Sequence, residues 1–218
     1  MAIVCGIEEA GRGPVIGPMV MAGVIIDEKD EHKLADIGVK DSKMLTPSQR
    51  EVMFERIKLA AKKVEIIILA PEEIDNALIN PSTNLNWLEA DTSIRIIKAL
   101  KPEKAILDCP SHNPQAYADY VKNKADNVEI IAEHKADEKY PVVSAASIIA
   151  KVTRDREIEK IKDKVNANFG SGYPSDPLTV KFLHDNYDKY GDLKIFRKTW
   201  ASYRNILKSK GQKSMSDY

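Results

Sequence analysis

The sequence predicts an α/β fold with parallel members in its sheet, and three observations lead there. Two apolar runs rich in β-formers, residues 2–7 and 18–27, are joined by a glycine-rich connection short enough to make them antiparallel neighbours. From about residue 60, strand-like runs alternate with helical ones, the pattern of a sheet that collects parallel strands through crossover helices. After Tyr140 the strand signals stop and the remaining chain reads as helical.

Taken in order, the strand over residues 2–7 ends in the acids Glu8 and Glu9, and a turn-rich segment follows with Gly11, Arg12, Gly13, Pro14, Gly17 and Pro18. Residues 18–27 (PMVMAGVIID) form a second, largely buried strand, and residues 36–46 form a loop. Thr46-Pro47-Ser48 opens a helix to about Lys63, with Thr46 as N-cap and Pro47 at the first helical position, where its missing N–H costs nothing. Residues 63–70 (KVEIIILA) are a strand, and Pro71 starts a short helix to about Leu78. The spacing of Leu85, Leu88, Ile94, Ile97 and Leu100 predicts a helix from Asn84, stopped before Pro102. A strand over 104–108 (KAILD), a helix over 113–124 and a strand over 128–133 follow. Val142 to about Val165 is one helix whose start (SAASIIAK) is small enough for close packing. A Gly/Pro loop over 169–177 leads to helices near 178–190 and 199–209.

The 218 residues suffice for one core, or a core with a small appended subdomain. At 43% hydrophobic and 30% charged, the composition is that of a globular protein. No apolar run nears the roughly 20 residues of a membrane span, and no basic-then-apolar leader opens the chain, so a cytoplasmic location and a monomer are expected. Cys5 and Cys109 lack paired metal-ligand spacing and read as buried thiols. Net charge is zero but unevenly spread: residues 1–138 hold 17 bases and 24 acids, residues 139–218 hold 16 and 9. Such asymmetry suits an acidic centre for cations beside a basic face for a polyanion, although Lys-rich solvated helices give the same count.

Acids fall at three strand ends: Glu8 and Glu9, Asp108, and the acids of His134-Lys-Ala-Asp-Glu-Lys-Tyr140. In open α/β sheets ligands gather at strand carboxyl ends. Carboxylates brought together there repel unless a cation lies between them, and oxygen ligands suit the hard ions Mg²⁺ and Mn²⁺. The plainer reading is a set of solvated loop acids and an ordinary glycine turn.

Five separated motifs resemble those of ribonuclease HII, in its archaeal form, nearly end to end: GIEEAGRGPVIG (6–17), VKDSK (39–43), ILDCP (106–110), HKADEKYPVVSAASIIAKVTRD (134–155) and GSGYPSD (170–176). The resemblance implies a ribonuclease H-like fold: a five-stranded mixed sheet, its first three strands antiparallel, flanked by helices and followed by a helical carboxy-terminal extension. It divides the chain into a catalytic core (1–140), a helical part completing it (141–211) and a flexible tail (212–218). It implies cleavage of the RNA strand of RNA–DNA hybrids and incision 5′ to single ribonucleotides in duplex DNA, leaving 3′-hydroxyl and 5′-phosphate ends. Glu8, Glu9, Asp108 and Asp137 take the positions of the family's catalytic acids, holding two Mg²⁺ or Mn²⁺ ions. Gly11, Arg12 and Gly13 would read the ribose 2′-hydroxyl with their backbone, and Tyr173 would meet the sugar at the RNA–DNA junction. Lys43, Lys151 and Arg154 would contact phosphates, the last two being equally readable as helix-surface charges.

One residue departs from the pattern: the family shows Asp-Glu where this chain has Glu8-Glu9. The added methylene moves the carboxylate by about 1.5 Å, which implies retained metal binding with slower turnover, or, as the alternative, a hybrid-binding protein with impaired catalysis. Near the carboxy terminus, bases such as Arg197 and Lys198 alternate with Trp200 and Tyr203, reading as an amphipathic helix with aromatics inward and bases available to phosphates. Gln212, Met215 and Tyr218 resemble the peptide by which proteins dock on sliding clamps.

Overall fold

The computed structural model describes residues 2–39 and 45–215, with side chains through Ser209. The strands are β1 (Ile3–Ala10), β2 (Met19–Asp27), β3 (Lys63–Leu69), β4 (Lys104–Asp108) and β5 (Glu129–Glu133). Among the described residues the helices are α1 (Glu31–Asp36), α2 (Pro47–Ala60), α3 (Pro71–Ile79), α4 (Leu85–Leu100), α5 (Pro114–Lys122), α6 (Ala136–Lys139), α7 (Pro141–Val165), α8 (Pro177–Asn186) and α9 (Ala201–Met215).

These strands form one sheet in the order β3-β2-β1-β4-β5. β1 is central. It runs antiparallel to β2, from Ile3 opposite Asp27 to Ala10 opposite Val20, and parallel to β4, from Val4 opposite Lys104 to Ile7 opposite Leu107. β4 and β5 are parallel, with Asp108 opposite Glu133. This is the mixed sheet that the family resemblance implies.

Local chemistry sets the helix starts. Thr46 caps α2 through a reciprocal capping box, its Oγ1 accepting the Gln49 N–H at 3.3 Å while Gln49 Oε1 accepts the Thr46 N–H at 2.8 Å. Asn113 and Asp176 cap α5 and α8, each followed by proline. Several elements differ from the sequence pattern. β1 continues through both acids to Ala10, the short helices α1 and α6 have too few residues to show a period, and α9 runs on to Met215 rather than ending near 209.

Two compact units divide the chain, each built from three separate stretches: Met1–Ala10, Val20–Ile68 and Asn86–Arg154 in the first, Gly11–Met19, Leu69–Leu85 and Asp155–Tyr218 in the second. The first half of α7 falls in the first unit, with the sheet. Residues 142–150 are all buried there. A Cβ on Gly6 would stand 2.4 Å from the Val142 carbonyl, so only glycine admits the α7 backbone onto β1. The small residues of SAAS serve the same close approach. The first core gathers Val4, Val20, Val24, Ile57, Ile106, Val142 and Ile149. In the second unit Phe169, Phe182, Phe196 and Tyr203 cluster with Val15, Ile16 and Ile158, Phe182 lying 5.4 Å from Phe169 and 6.3 Å from Phe196. Cys5 and Cys109 are buried thiols. Among the described residues no helix is long and apolar enough to cross a membrane.

Candidate active site

The acid group is assembled by strand register. Ile7 pairs with Leu107, so Glu8 and Asp108 follow one step beyond the last paired residues of neighbouring parallel strands. Residues in register share a face and successive residues alternate, which sends Glu8 and Asp108 to one face and Glu9 to the other. Glu8 is buried, at 9% exposure. Burial pushes its carboxyl well above the ordinary carboxylate range, the Glu9 charge pushes further, the Ser147 hydroxyl opposes, Asp108 adds to the rise and Lys151 opposes it. Ser147 lies wholly inside α7, near enough to favour the ionised carboxyl without reaching full hydrogen-bond geometry.

Asp108, half-buried, accepts the Ala136 N–H at 2.8 Å through Oδ1. His134 Nδ1 lies 3.0 Å from the Cys109 carbonyl oxygen. These two contacts pin the turn between β5 and α6 to the end of β4, and Lys135 takes left-handed backbone (φ 57°) to make it. Asp137, next after Ala136, is thereby held near β4 and half-buried, while Glu138 is exposed. Lys151 is half-buried and acts on Glu8; Arg154, 6% exposed, is an interior side chain. Neither is a plain helix-surface charge.

Two buried acids, Asp75 and Glu89, escaped the sequence reading, and Glu89 lies near the acids at the strand ends. Glu89, 1% exposed on α4, sits with Glu9 in the electrostatic surroundings of Tyr117 and Cys109. The Tyr117 phenol is pushed well up by burial first and by Glu89 next. In sequence Glu89 looks like any acid on a helix surface. The available sign was the pair Thr92 and Ser93, which follow it by three and four positions on the same helical face and are equally buried.

In the second unit, Gly11 and Gly17 take φ of 83° and 87°, which glycine alone adopts without strain. The Val15 and Ile16 N–H groups both donate to the Gly172 carbonyl, at 2.9 and 3.2 Å, joining the Gly11–Gly17 segment to the Gly170–Asp176 loop. A Cβ on Gly13 would stand 3.5 Å from the Tyr173 ring, so these two expected substrate-reading residues are neighbours. Gly13 and Tyr173 are exposed and Arg12 is half-buried. Asp176 ties its loop by accepting from Ser171 N, Ser171 Oγ and Leu178 N, and the Ser171 backbone N–H leads the causes that hold its carboxyl below the usual range.

Arg197 is a correction. The sequence groups it with bases free for phosphate, yet it has 0% exposure and donates to three carbonyls of the glycine segment. Tyr203 is buried as expected, and Trp200 packs at the edge of the same core with its Nε1–H donated to Gly13 O at 3.0 Å. Lys43 and Tyr218 lie outside the described residues, and Gln212 and Met215 are described only as backbone of α9.

Among the described residues no three acid, histidine or cysteine side chains are already closed around a metal-sized gap. The donor set nevertheless fits a hard divalent cation. It offers carboxylate oxygens only, and one of them, Glu8, is a buried acid whose charge Glu9 and Asp108 disfavour and a cation would favour.

Comparison with known proteins identifies the family of the chain. The family model described as Ribonuclease HII matches residues 5–203. The chain is 48% identical over 207 residues to Ribonuclease HII of Pyrococcus horikoshii, covering 93% of this chain and 92% of that protein. The solved ribonuclease H2 from Pyrococcus horikoshii OT3 superposes with a TM-score of 0.88 at 46% identity, covering 95% of this chain and 98% of that one. A chain from the PCNA:RNase HII complex of Archaeoglobus fulgidus does so with a TM-score of 0.84 at 40% identity, covering 91% and 95%.

Proposed function

The chain belongs to the ribonuclease HII family and is a metal-dependent ribonuclease H acting on the RNA strand of RNA–DNA hybrids, and from that premise we propose that it also incises duplex DNA on the 5′ side of single embedded ribonucleotides. In this reading Glu8, Glu9, Asp108 and Asp137 hold two divalent ions, Mg²⁺ or Mn²⁺. The observation that carries it is the buried Glu8 in register with Asp108, its charge opposed by Glu9 and Asp108.

Water supplies a hydroxyl to phosphorus and a proton to the departing O3′, leaving a 3′-hydroxyl and a 5′-phosphate. Bound ions would lower the pKa of that water and stabilise charge on the leaving oxygen. The protein's own part is positional. Asp108, anchored by the Ala136 N–H, presents its remaining oxygen, and α6 carries Asp137 beside it. Lys151 offsets acid charge at Glu8 and, with Lys43, is a phosphate contact, whereas Arg154 is an interior side chain at 6% exposure and leaves that role. Gly11, Arg12 and Gly13 read the 2′-hydroxyl and Tyr173 meets the junction sugar, a role supported by the contact between Gly13 and the Tyr173 ring.

Glu8 in the family's Asp position tunes the rate downward. Mg²⁺ asks for near-octahedral ligands at roughly 2.0–2.1 Å, and a misplacement near 1 Å costs about 100-fold; Mn²⁺ is the more forgiving ion. The same residue favours the second reading, a hybrid-binding protein with little turnover. The tail residues Gln212, Met215 and Tyr218 dock on a sliding clamp, a reading supported by the Archaeoglobus fulgidus PCNA:RNase HII complex; truncation after Gly211 should abolish clamp capture and leave incision of free duplex unchanged.

The test is incision of a duplex with one ribonucleotide, in Mg²⁺ and in Mn²⁺, by the unaltered protein and Glu8→Asp, beside an all-DNA control. Cleavage 5′ to the ribonucleotide, accelerated by Glu8→Asp, is the expected result. Tight hybrid binding with cleavage by neither protein selects the binding reading, and cutting of all-DNA duplex overturns both.

A further inference from the structure

A glycine-rich segment has little of its own to hold one shape, since its backbone is freer than any other. Here four of its carbonyl oxygens are held by two side chains. Arg197 donates from Nη2 to Gly11 O at 2.6 Å, from Nη1 to Arg12 O at 3.0 Å and from Nε to Gly17 O at 3.0 Å. Trp200 Nε1 donates to Gly13 O at 3.0 Å, and the Arg197 guanidinium lies 4.8 Å from the Trp200 ring centroid. Arg197 is among the largest fully buried side chains of the molecule, so it reaches no phosphate itself.

Peptide geometry turns this into a functional statement. In a trans peptide the N–H points opposite to the carbonyl, and the described residues contain no cis bond. Holding the Gly11 and Arg12 carbonyls toward the guanidinium therefore aims the N–H groups of Arg12 and Gly13 away from it. The other two held carbonyls precede Pro14 and Pro18, which have no N–H to aim. Of four pinned peptides, then, two keep a donor. They are consecutive, and they end at the exposed Gly13 beside the Tyr173 ring. Two successive N–H groups directed to one side form a concave donor site for an oxygen.

We infer that Arg197, braced by Trp200, is the positioning residue for ribose recognition: it fixes the Gly11–Gly13 peptides so that the Arg12 and Gly13 N–H groups face the 2′-hydroxyl oxygen. This rests on the reading that Gly11–Gly13 meets the ribonucleotide. Lysine is no substitute, because one ammonium lacks the planar fork that spans three carbonyls.

The test compares binding of the full chain to a duplex with one ribonucleotide and to the same duplex in all-DNA form, in Ca²⁺ to suppress cleavage, with the melting temperature of each variant recorded. Arg197→Lys should cut the ribonucleotide preference about 10-fold, and Trp200→Phe about 3-fold, the scale of one neutral hydrogen bond. A purely structural role would lower the melting temperature and the active fraction while leaving the preference of the folded protein intact. Preference retained by both variants overturns the assignment of Arg197. Absence of preference in the unaltered protein overturns the underlying reading of the glycine segment instead. If Arg197→Lys does not fold, Trp200→Phe decides alone: a reduced preference supports the inference and an unchanged one overturns it.

Discussion

Glu8 and Asp108 stand one step beyond the paired Ile7 and Leu107, on the same face of adjacent parallel strands, although 100 positions separate them in the chain. A buried carboxyl is thus confronted by a second acid across the sheet and by Glu9 beside it. Ionising Glu8 is costly in those surroundings, and a divalent cation between the acids would relieve the cost.

Glu8 therefore sets a pH dependence on the metal-free protein. Its folded value is raised, so the unfolded chain holds fewer protons over the intervening range. The stability that its protonated form contributes is fully present below the ordinary carboxylate range and is lost as pH rises through the raised folded value. Glu8→Gln, neutral at every pH, should melt at a higher temperature than the unaltered protein at neutral pH in EDTA. The difference should shrink as pH falls, and divalent metal should stabilise the unaltered protein more than the variant. Melting curves across pH with and without Mg²⁺ check this.

Asp108→Asn separates charge from scaffold. The asparagine oxygen can still accept the Ala136 N–H now taken by Oδ1, so the turn before α6 should persist. On the proposed reading a metal-facing charge is lost, and activity should fall beyond the roughly 10–100-fold that losing a supporting contact costs a metal site. Single-turnover cleavage of a hybrid together with an unchanged circular dichroism spectrum would meet the expectation; retained cleavage would remove Asp108 from the ligand set.

Gly6→Ala tests the seating of α7. The new methyl would fall 2.4 Å from the Val142 carbonyl, and backbone cannot yield as a side-chain tip can. Overpacking of this kind costs about 1–3 kcal/mol or more, and here it also moves the helix that carries Ser147 and Lys151. Urea unfolding should show the loss of stability, and hybrid cleavage should fall with it.

Thr46→Ala is the contrasting case. It removes the hydroxyl that accepts the Gln49 N–H in the α2 capping box. The expected cost is about 1 kcal/mol, or roughly 2–4 °C in melting temperature for a chain of this size, with cleavage rates unchanged.

What could be read in advance follows the range of the forces involved. The cap at Thr46, before Pro47, announces α2, and the alternation after residue 60 announces parallel strands. The family motifs pointed to Glu8, Glu9, Asp108 and Asp137, and the structure gathers the first three into one electrostatic group, with Asp137 held beside Asp108 through Ala136. Glu89 was missed and Arg197 misread. In sequence a buried acid and a buried base look like any surface charge, and only their surroundings say otherwise.

By itself the sequence determined the elements and their chemistry: where helices begin, which runs are strands, which acids stand near strand ends, and that glycines and prolines shape residues 11–18. These depend on backbone preferences acting within a few residues. Tertiary structure alone decided that β1 runs on through both acids, that register sets Glu8 against Asp108, that Gly6 admits α7 onto the sheet, and that Arg197 turns inward to hold the glycine segment. Each of those rests on contacts between residues far apart in the chain, and no local periodicity records such a pairing.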